Sequence, residues 1–540
     1  MLCLRPEPRR AKAMLIRPRL LAFAGLLLAA SQVALPRAQA RFDLLIRGGQ
    51  VLDGSGRPAI RADIGVTGDR IRAVGDLAAA TAGTVIDASG RYVTPGFIDV
   101  HSHAGPGLAT PELHEGRPVL AQGITTVLVN PDGGGPVDLV AQRAALEKVG
   151  IGPNVGLMVP HGSVRNAVLG MSDRDPAPAD QQRMNALVRE GMRAGAFGLS
   201  SGLYYAPGSY SKTAEVVAMA KEVAPFRGSY SSHIRDEADY GVGVVAAVDE
   251  VITIAEQAKI TGVVTHMKAL GPASWGLSKT LVAHIEAARA RGVSVFADQY
   301  PYEASGTSIV GALVPRWAQV GGRDVMTRRL TGELRGKIRD EVKSNLTRRG
   351  GADTFLVSEY EPDTSIEGKR LSALAAAAGK APEEYALSLL EKGDAGLVSF
   401  NMSEDDIALI MRQPWTMTCT DGGLQPVTEG KPHPRQYGAF PRKLERYVRE
   451  RNTVALPFAI RSMTALAAET FGIRDRGVVK VGAFADLVVF DLARVHETAT
   501  YEQPHQIAEG LESIVVNGRV VRQRNAFTGA VPGRVLRLER

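Results

Sequence analysis

From Phe42 onward the chain alternates apolar and polar residues in short runs broken by glycine-containing turns: FDLLIRGGQVLDGSG, ADIGVTGDRIRAVG and TVIDASGRYVTPG. A period of two predicts β-strands with one buried face. The pattern returns near the other end in GAFADLVVFDL and LESIVVNGRVV, where Asn517-Gly518 is a hairpin turn signal. Two β segments flanking a long middle predict one small sheet domain assembled from both ends, 41–94 and 477–540.

Between them, short apolar runs at 96–100, 125–129, 155–159, 196–199, 229–232, 262–265, 293–297 and 416–420 alternate with stretches of helical period. Strands alternating with helices predict an α/β fold with a parallel sheet, and eight strands is the number that closes a (β/α)₈ barrel, here over 95–476. The interval from Glu303 to Pro414 is too long for one helix, so an insertion near 303–400 is expected between strands seven and eight.

Composition narrows the class. With 45% hydrophobic and 22% charged residues in 540, the chain reads as globular. The net charge of +7 comes almost wholly from the first 40 residues, which carry seven Arg and Lys against Glu7. The near-neutral remainder gives no basis for nucleic acid or an acidic membrane surface as partner. Positive charge, the apolar run LLAFAGLLLAA and Ala38-Gln39-Ala40 predict a signal peptide over 1–40, cleaved after Ala40, with export to a periplasm. That run is well short of the ~20 residues that span a bilayer. No Cys follows it, so no membrane anchor is expected. Cys3 leaves with the leader, and Cys419 alone cannot form an intramolecular disulfide.

The chemistry sits where strands end. The first runs into His101-Ser102-His103, Asp132 follows the second and His161 the third. The fifth runs into His233, the sixth into His266 and the eighth into Asp421. In a barrel these C-terminal ends converge on one face. His101 and His103, two apart on an extended segment, point the same way. Imidazole and carboxylate suit Zn²⁺, and a catalytic site needs few protein ligands plus an open position. His161 has two readings, a hydrogen-bonded structural residue or a substrate contact. Cys419 reads as inert packing, and His114, His284, His496 and His505 as surface or helix residues.

The stretches VTPGFIDVHSH, GITTV, GAFGLSSGLYYAP, YSSHIRDE, THMKALGPASWG, DQYPYEASGT, FNMSEDD, PWTMTCTDG, HPRQYGAFPR, DRGVVKVGAFADLVVFD and PGRVLR run in order from Phe42 to Arg540. Through them the sequence resembles the amidohydrolase superfamily and, within it, the N-acyl-D-amino-acid deacylases. The resemblance implies a TIM barrel, a small β-sandwich built from both termini and one or two zinc ions per chain. It implies His233 and His266 as ligands of a tightly held zinc, and His101 and His103 as ligands of a second, weaker position. Asp421 resembles the general acid/base. Arg435, Lys268 and a tyrosine of DQYPY, chosen as Tyr300 over Tyr302, would bind the substrate α-carboxylate. One departure stands out: after GITTV the family has Gly-Asn-Cys-Gly, its Cys a metal ligand, and Asp132 occupies that place. Asp132 is expected to ligate or bridge metal in its stead; as the third residue of Asn130-Pro131-Asp132-Gly133 it also reads as a turn residue. The implied activity is hydrolysis of N-acyl-D-amino acids to a carboxylate and a free D-amino acid. The alternatives are a dipeptidase or cyclic-amide hydrolase and, last, a non-catalytic periplasmic binding protein.

Overall fold

The computed structural model describes residues 40–539. The expected leader therefore lies, apart from Ala40, outside the described residues. No helix among those described is long and apolar enough to cross a membrane.

The eight expected central strands are present, parallel and paired in chain order. Phe97–Asp99 pairs with Ile124–Val129, and that with Asn154–Leu157. Val159–Pro160, which continues the third strand, pairs with Gly198–Gly202. Ser229–His233, Thr261–Val264, Val295–Gln299 and Thr416–Thr418 then follow one another. The Met158 N–H donates to the Val129 carbonyl at 3.1 Å, which carries pairing across the third strand. Beyond the eighth strand, the Asp421 N–H donates to the His101 carbonyl (3.0 Å) and the His103 N–H to that of Gly422 (2.9 Å), which joins the last strand to the first.

The fourth strand runs further than its apolar residues imply. It takes in Ser200 and Ser201, both fully buried. Their hydroxyls are satisfied within the sheet: Ser200 Oγ donates to the Asn130 carbonyl (2.5 Å) and Ser201 Oγ meets Tyr230 Oη (2.7 Å). Buried hydroxyls are tolerated where they find such partners.

Amphipathic helices cover the strands. In the helix Val244–Ala258, Val244, Ala247, Val248, Val251, Ile254, Ala255 and Ala258 are buried, the three-and-four spacing of a core-facing stripe. Strands from both ends of the chain form a nine-stranded sheet, with the seam where Leu487–Phe490 lies antiparallel to Tyr92–Pro95. Ile46, Ile64, Val66, Leu487 and Val515 pack in its core.

Residues after the seventh strand form a separate antiparallel sheet, Ala304–Ser308, Gly396–Phe400 and Phe355–Glu359, with helices packed on a core that includes Leu313, Ile338, Phe355, Leu387 and Leu397. Ser305, Gly306, Thr307 and Arg349 from this segment line the same cavity as the strand-end histidines.

Candidate active site

Local hydrogen bonds fix each candidate residue. The buried Asp99 carboxylate accepts from the His101 N–H (3.2 Å), the Thr420 N–H (3.0 Å) and Thr420 Oγ1 (2.5 Å), so it ties the end of the first strand to that of the eighth. Burial pushes its pKa up to about 6 against those bonds. The His266 N–H donates to Asp298 Oδ1 at 2.6 Å. Asp132 does sit in a turn, closed by the Gly134 N–H to the Pro131 carbonyl (3.0 Å). That turn lies against Gly202, where a Cβ would fall 2.2 Å from the Asp132 carbonyl oxygen. Asp132 (φ 54°), His266 (φ 33°) and Asp421 (φ 48°) all occupy the left-handed region. Such conformations are uncommon outside glycine, and a group of them at one place is a mark of function.

Asp132 stands among four imidazoles. Its Oδ1 is 3.3 Å from His101 Nε2 and 3.7 Å from His266 Nε2; its Oδ2 is 3.4 Å from His103 Nε2 and 3.7 Å from His233 Nδ1. Asp421 Oδ1 lies 3.4 Å from His101 Nε2 and 3.2 Å from His103 Nε2. The turn residue and the centre of the cluster are thus the same residue.

The donor set fits a divalent metal. His101 Nε2, Asp132 Oδ1 and both ring nitrogens of His233 are buried and without a hydrogen-bond partner among the described residues. An unpaired buried polar atom costs about 1–3 kcal/mol, and His101 Nε2, Asp132 Oδ1 and His233 Nδ1, which face the same place, call for a common partner. His101, Asp132, His266 and Asp421 each offer an atom within 4.8 Å of the others, and imidazole with carboxylate is a zinc-type ligand set. The electrostatics agree. Burial disfavours the charged form of Asp132, yet the facing histidines, His101 first, hold its carboxyl well below the usual range. Burial likewise opposes charge on His101, but Asp132 and Asp421 raise its pKa well above that of an ordinary imidazole. A field that favours protons at this point favours a metal cation in the same way.

The cluster forms the floor of a cavity of about 680 Å³, a size suited to a small organic molecule. Three further candidates meet on its wall. Arg435 Nη1 is 2.7 Å from Asp421 Oδ2, with its guanidinium 4.7 Å over the Tyr300 ring. Lys268 Nζ lies 5.6 Å from the same ring. Tyr300 Oη is buried with no partner among the described residues, whereas Tyr302 Oη donates to Glu497. His433 holds Arg435 in place by accepting its N–H at Nδ1 (3.0 Å).

His161 is elsewhere. It is fully buried at the start of the helix His161–Leu169, its Nε2 3.3 Å from Glu215 Oε1, and is not among the cavity-lining residues. Cys419 is buried with its thiol pKa pushed well up, first by burial, as inert packing requires.

Sequence reasoning passed over Glu237, four residues after His233 in YSSHIRDE. Its Oε1 accepts from Lys268 Nζ (2.5 Å) and lies 3.1 Å from His266 Nδ1 and 3.8 Å from His233 Nε2. The signal was a carboxylate close behind a strand-end histidine, but a loop spacing carries no periodicity to reveal burial. Glu237→Gln is expected to weaken metal affinity about 10–100-fold, as loss of a carboxylate behind a metal-ligating histidine does. Chelator competition measures this, and unchanged affinity would separate Glu237 from the centre.

Comparison with known proteins places this geometry. The amidohydrolase family model matches residues 84–522. D-aminoacylase of Alcaligenes xylosoxydans xylosoxydans is 36% identical over 521 residues, covering 92% of this chain and 97% of that protein. N-acyl-D-glutamate deacylase of the same organism is 35% identical with the same coverage. Among solved structures, N-acyl-D-glutamate deacylase of Bordetella bronchiseptica, complexed with zinc and a phosphonate mimic of the tetrahedral intermediate, superposes with a TM-score of 0.79 at 35% identity, covering 92% of this chain and all of that one. A D-aminoacylase described by its binuclear metal centre gives 0.78 at 33%, with the same coverage.

Proposed function

Because the chain belongs to the amidohydrolase family, we propose that it is a metal-dependent deacylase, which hydrolyses the amide bond of N-acyl-D-amino acids to a carboxylate and a free D-amino acid. The observation that carries this reading is Asp132 within 3.7 Å of four strand-end histidines, with Asp421 beside them. His101, His103, Asp132, His233 and His266 would hold zinc, one ion or two, with Asp132 between the histidine pairs. When bound, zinc lowers the pKa of a water molecule and polarises a carbonyl.

The chain's own residues supply the rest. Asp421 Oδ1 accepts the proton from the attacking water and returns it to the amide nitrogen as the C–N bond breaks. Arg435, Lys268 and Tyr300 bind the substrate α-carboxylate, so the scissile amide lies over the cluster. Ser305, Gly306, Thr307 and Arg349 of the inserted segment form part of the cavity wall.

The same reading takes the eight parallel strands as a closed (β/α)₈ barrel over 95–476. It takes the sheet from 41–94 and 477–540 as a β-sandwich, and 1–40 as a signal peptide removed on export to the periplasm. The bridge of His103 to Gly423, with the two backbone hydrogen bonds that link the last strand's end to the first's, supports the barrel.

A chiral product assay on matched N-acyl-D-amino acids, N-acyl-L-amino acids and dipeptides tests the function. Release of D-amino acid from the first set is expected; turnover confined to dipeptides or cyclic amides would replace the reading. Arg435→Ala is expected to raise KM for free-carboxylate substrates. Amidating that carboxylate should then cost the variant far less than the wild type, and equal losses in both would remove Arg435 from carboxylate binding.

A further inference from the structure

The cavity is closed on one side and open on the other. Its Lys and Arg lining residues, Lys268, Arg349 and Arg435, are all buried, and they come from beyond the sixth strand, from the inserted segment and from beyond the eighth strand. Its exposed lining residues are His103, Pro106, Gly134, Gly135, Pro136 and Ala145, and every one of them follows the first or the second strand. The strands pair in chain order and the last is joined to the first. The ends of strands one and two therefore stand across the cavity from those of strands six and seven. The mouth is a shelf on the far side of the histidine cluster from Lys268 and Tyr300.

This shelf presents mostly carbon. The helix Leu139–Val149 brings Gln142 and Ala145 to it, three residues apart and so on one face. The Gln142 amide is already committed: Asn130 Nδ2 donates to Gln142 Oε1 (2.8 Å), and Gln142 Nε2 donates to Asn130 Oδ1 (2.9 Å). His103 and Asp132 face each other at 3.4 Å, within the cluster. What remains is Pro106, Ala109, Pro136 and Ala145, with the bare backbone of Gly134 and Gly135 between them. Covering apolar carbon on such a surface is favourable, whereas a charged group laid on it finds no side chain to pair with.

The occupant follows from the polarity of the substrate. With the α-carboxylate at Arg435, Lys268 and Tyr300 and the amide over the cluster, the acyl substituent leaves toward the opposite side. We propose that the shelf after strands one and two binds the acyl chain, and that the preferred substrates carry an extended, uncharged aliphatic acyl group in place of acetyl. This rests on the deacylase reading. Water adds across the same amide C–N bond, so the products are an aliphatic carboxylic acid and the free D-amino acid. Because the rim is exposed, a chain longer than the shelf runs on into water.

The test lengthens one end of the substrate at a time. The acyl arm is N-acetyl-, N-butanoyl- and N-hexanoyl-D-leucine; the side-chain arm is the N-acetyl derivatives of D-alanine, D-norvaline and D-norleucine. A fully buried methylene is worth about 4-fold, and a shelf that covers one side of the chain about half of that in free energy, so kcat/KM should rise about 2-fold per methylene along the acyl arm, on the order of 10-fold from acetyl to hexanoyl. Ala145 is exposed, so it can be replaced without disturbing the core. Ala145→Trp, which fills the shelf, and Ala145→Asp, which charges it, should each reduce the hexanoyl-to-acetyl ratio several-fold. A flat or falling acyl arm, a rise confined to the side-chain arm, or a ratio that survives in both variants would overturn the shelf. Absence of turnover on every compound would instead sink the deacylase reading. Calorimetric binding of the acyl arm then decides the shelf: tighter binding of the hexanoyl compound supports it, and equal binding overturns it.

Discussion

Asp421→Asn is expected to retain stoichiometric metal while losing about 10²–10⁴-fold in kcat, the usual contribution of a general acid/base group. Asparagine keeps the shape beside His101 and His103 but cannot carry a proton. In the native site the carboxylate is held ready in its charged form: burial opposes that charge, and Arg435 and His266 override it. With Arg435 Nη1 2.7 Å from Asp421 Oδ2, the variant also frees the guanidinium, so KM for carboxylate substrates should hold or fall. Steady-state kinetics alongside metal analysis measure both quantities. A kcat within a few-fold of wild type would move proton transfer to another group, and Asp132 and Glu237 are the other carboxylates on the cavity wall.

Asp132→Ala should have an effect as large through a different route. Removing this carboxylate leaves His101, His103, His233 and His266 without the anion that lies between them, and metal content and turnover should fall together. Asp132→Cys should recover zinc binding at least partly, since a thiolate is a strong zinc ligand. A residue that only made the turn would behave otherwise. The alanine variant would then hold stoichiometric zinc with a modest loss of stability from its positive φ. Elemental analysis of the two variants beside wild type separates the cases.

Much of this site was legible because barrel-type strands announce themselves as apolar runs, and a polar residue directly after such a run stands out. That is how His101, His103, His233, His266 and Asp421 came to be read together, and the structure gathers them around Asp132. What the sequence hid falls into three kinds. The fourth strand's polar end was obscured because Ser200 and Ser201 are satisfied by distant partners, Asn130 and Tyr230. Glu237 was missed because its burial depends on Lys268 and His266, some 30 positions away, and not on local pattern. Arg349 was invisible for a similar reason. Beside Arg348, which pairs with Asp239 at the surface, it reads as one more basic residue at a helix end, and only the fold turns it inward against two tyrosines. His161 shows the reverse hazard, since its strand-end position is shared by the site residues but its side chain is committed to Glu215.

The most direct test of the central claim is a metal titration of stripped, purified protein, followed by release of free D-amino acid from N-acyl-D-amino acids. The account predicts no release without metal and activity that rises with zinc and saturates at one or two equivalents per chain. Full activity in protein verified to be metal-free, or stoichiometric zinc binding with no D-amino acid released, would contradict it.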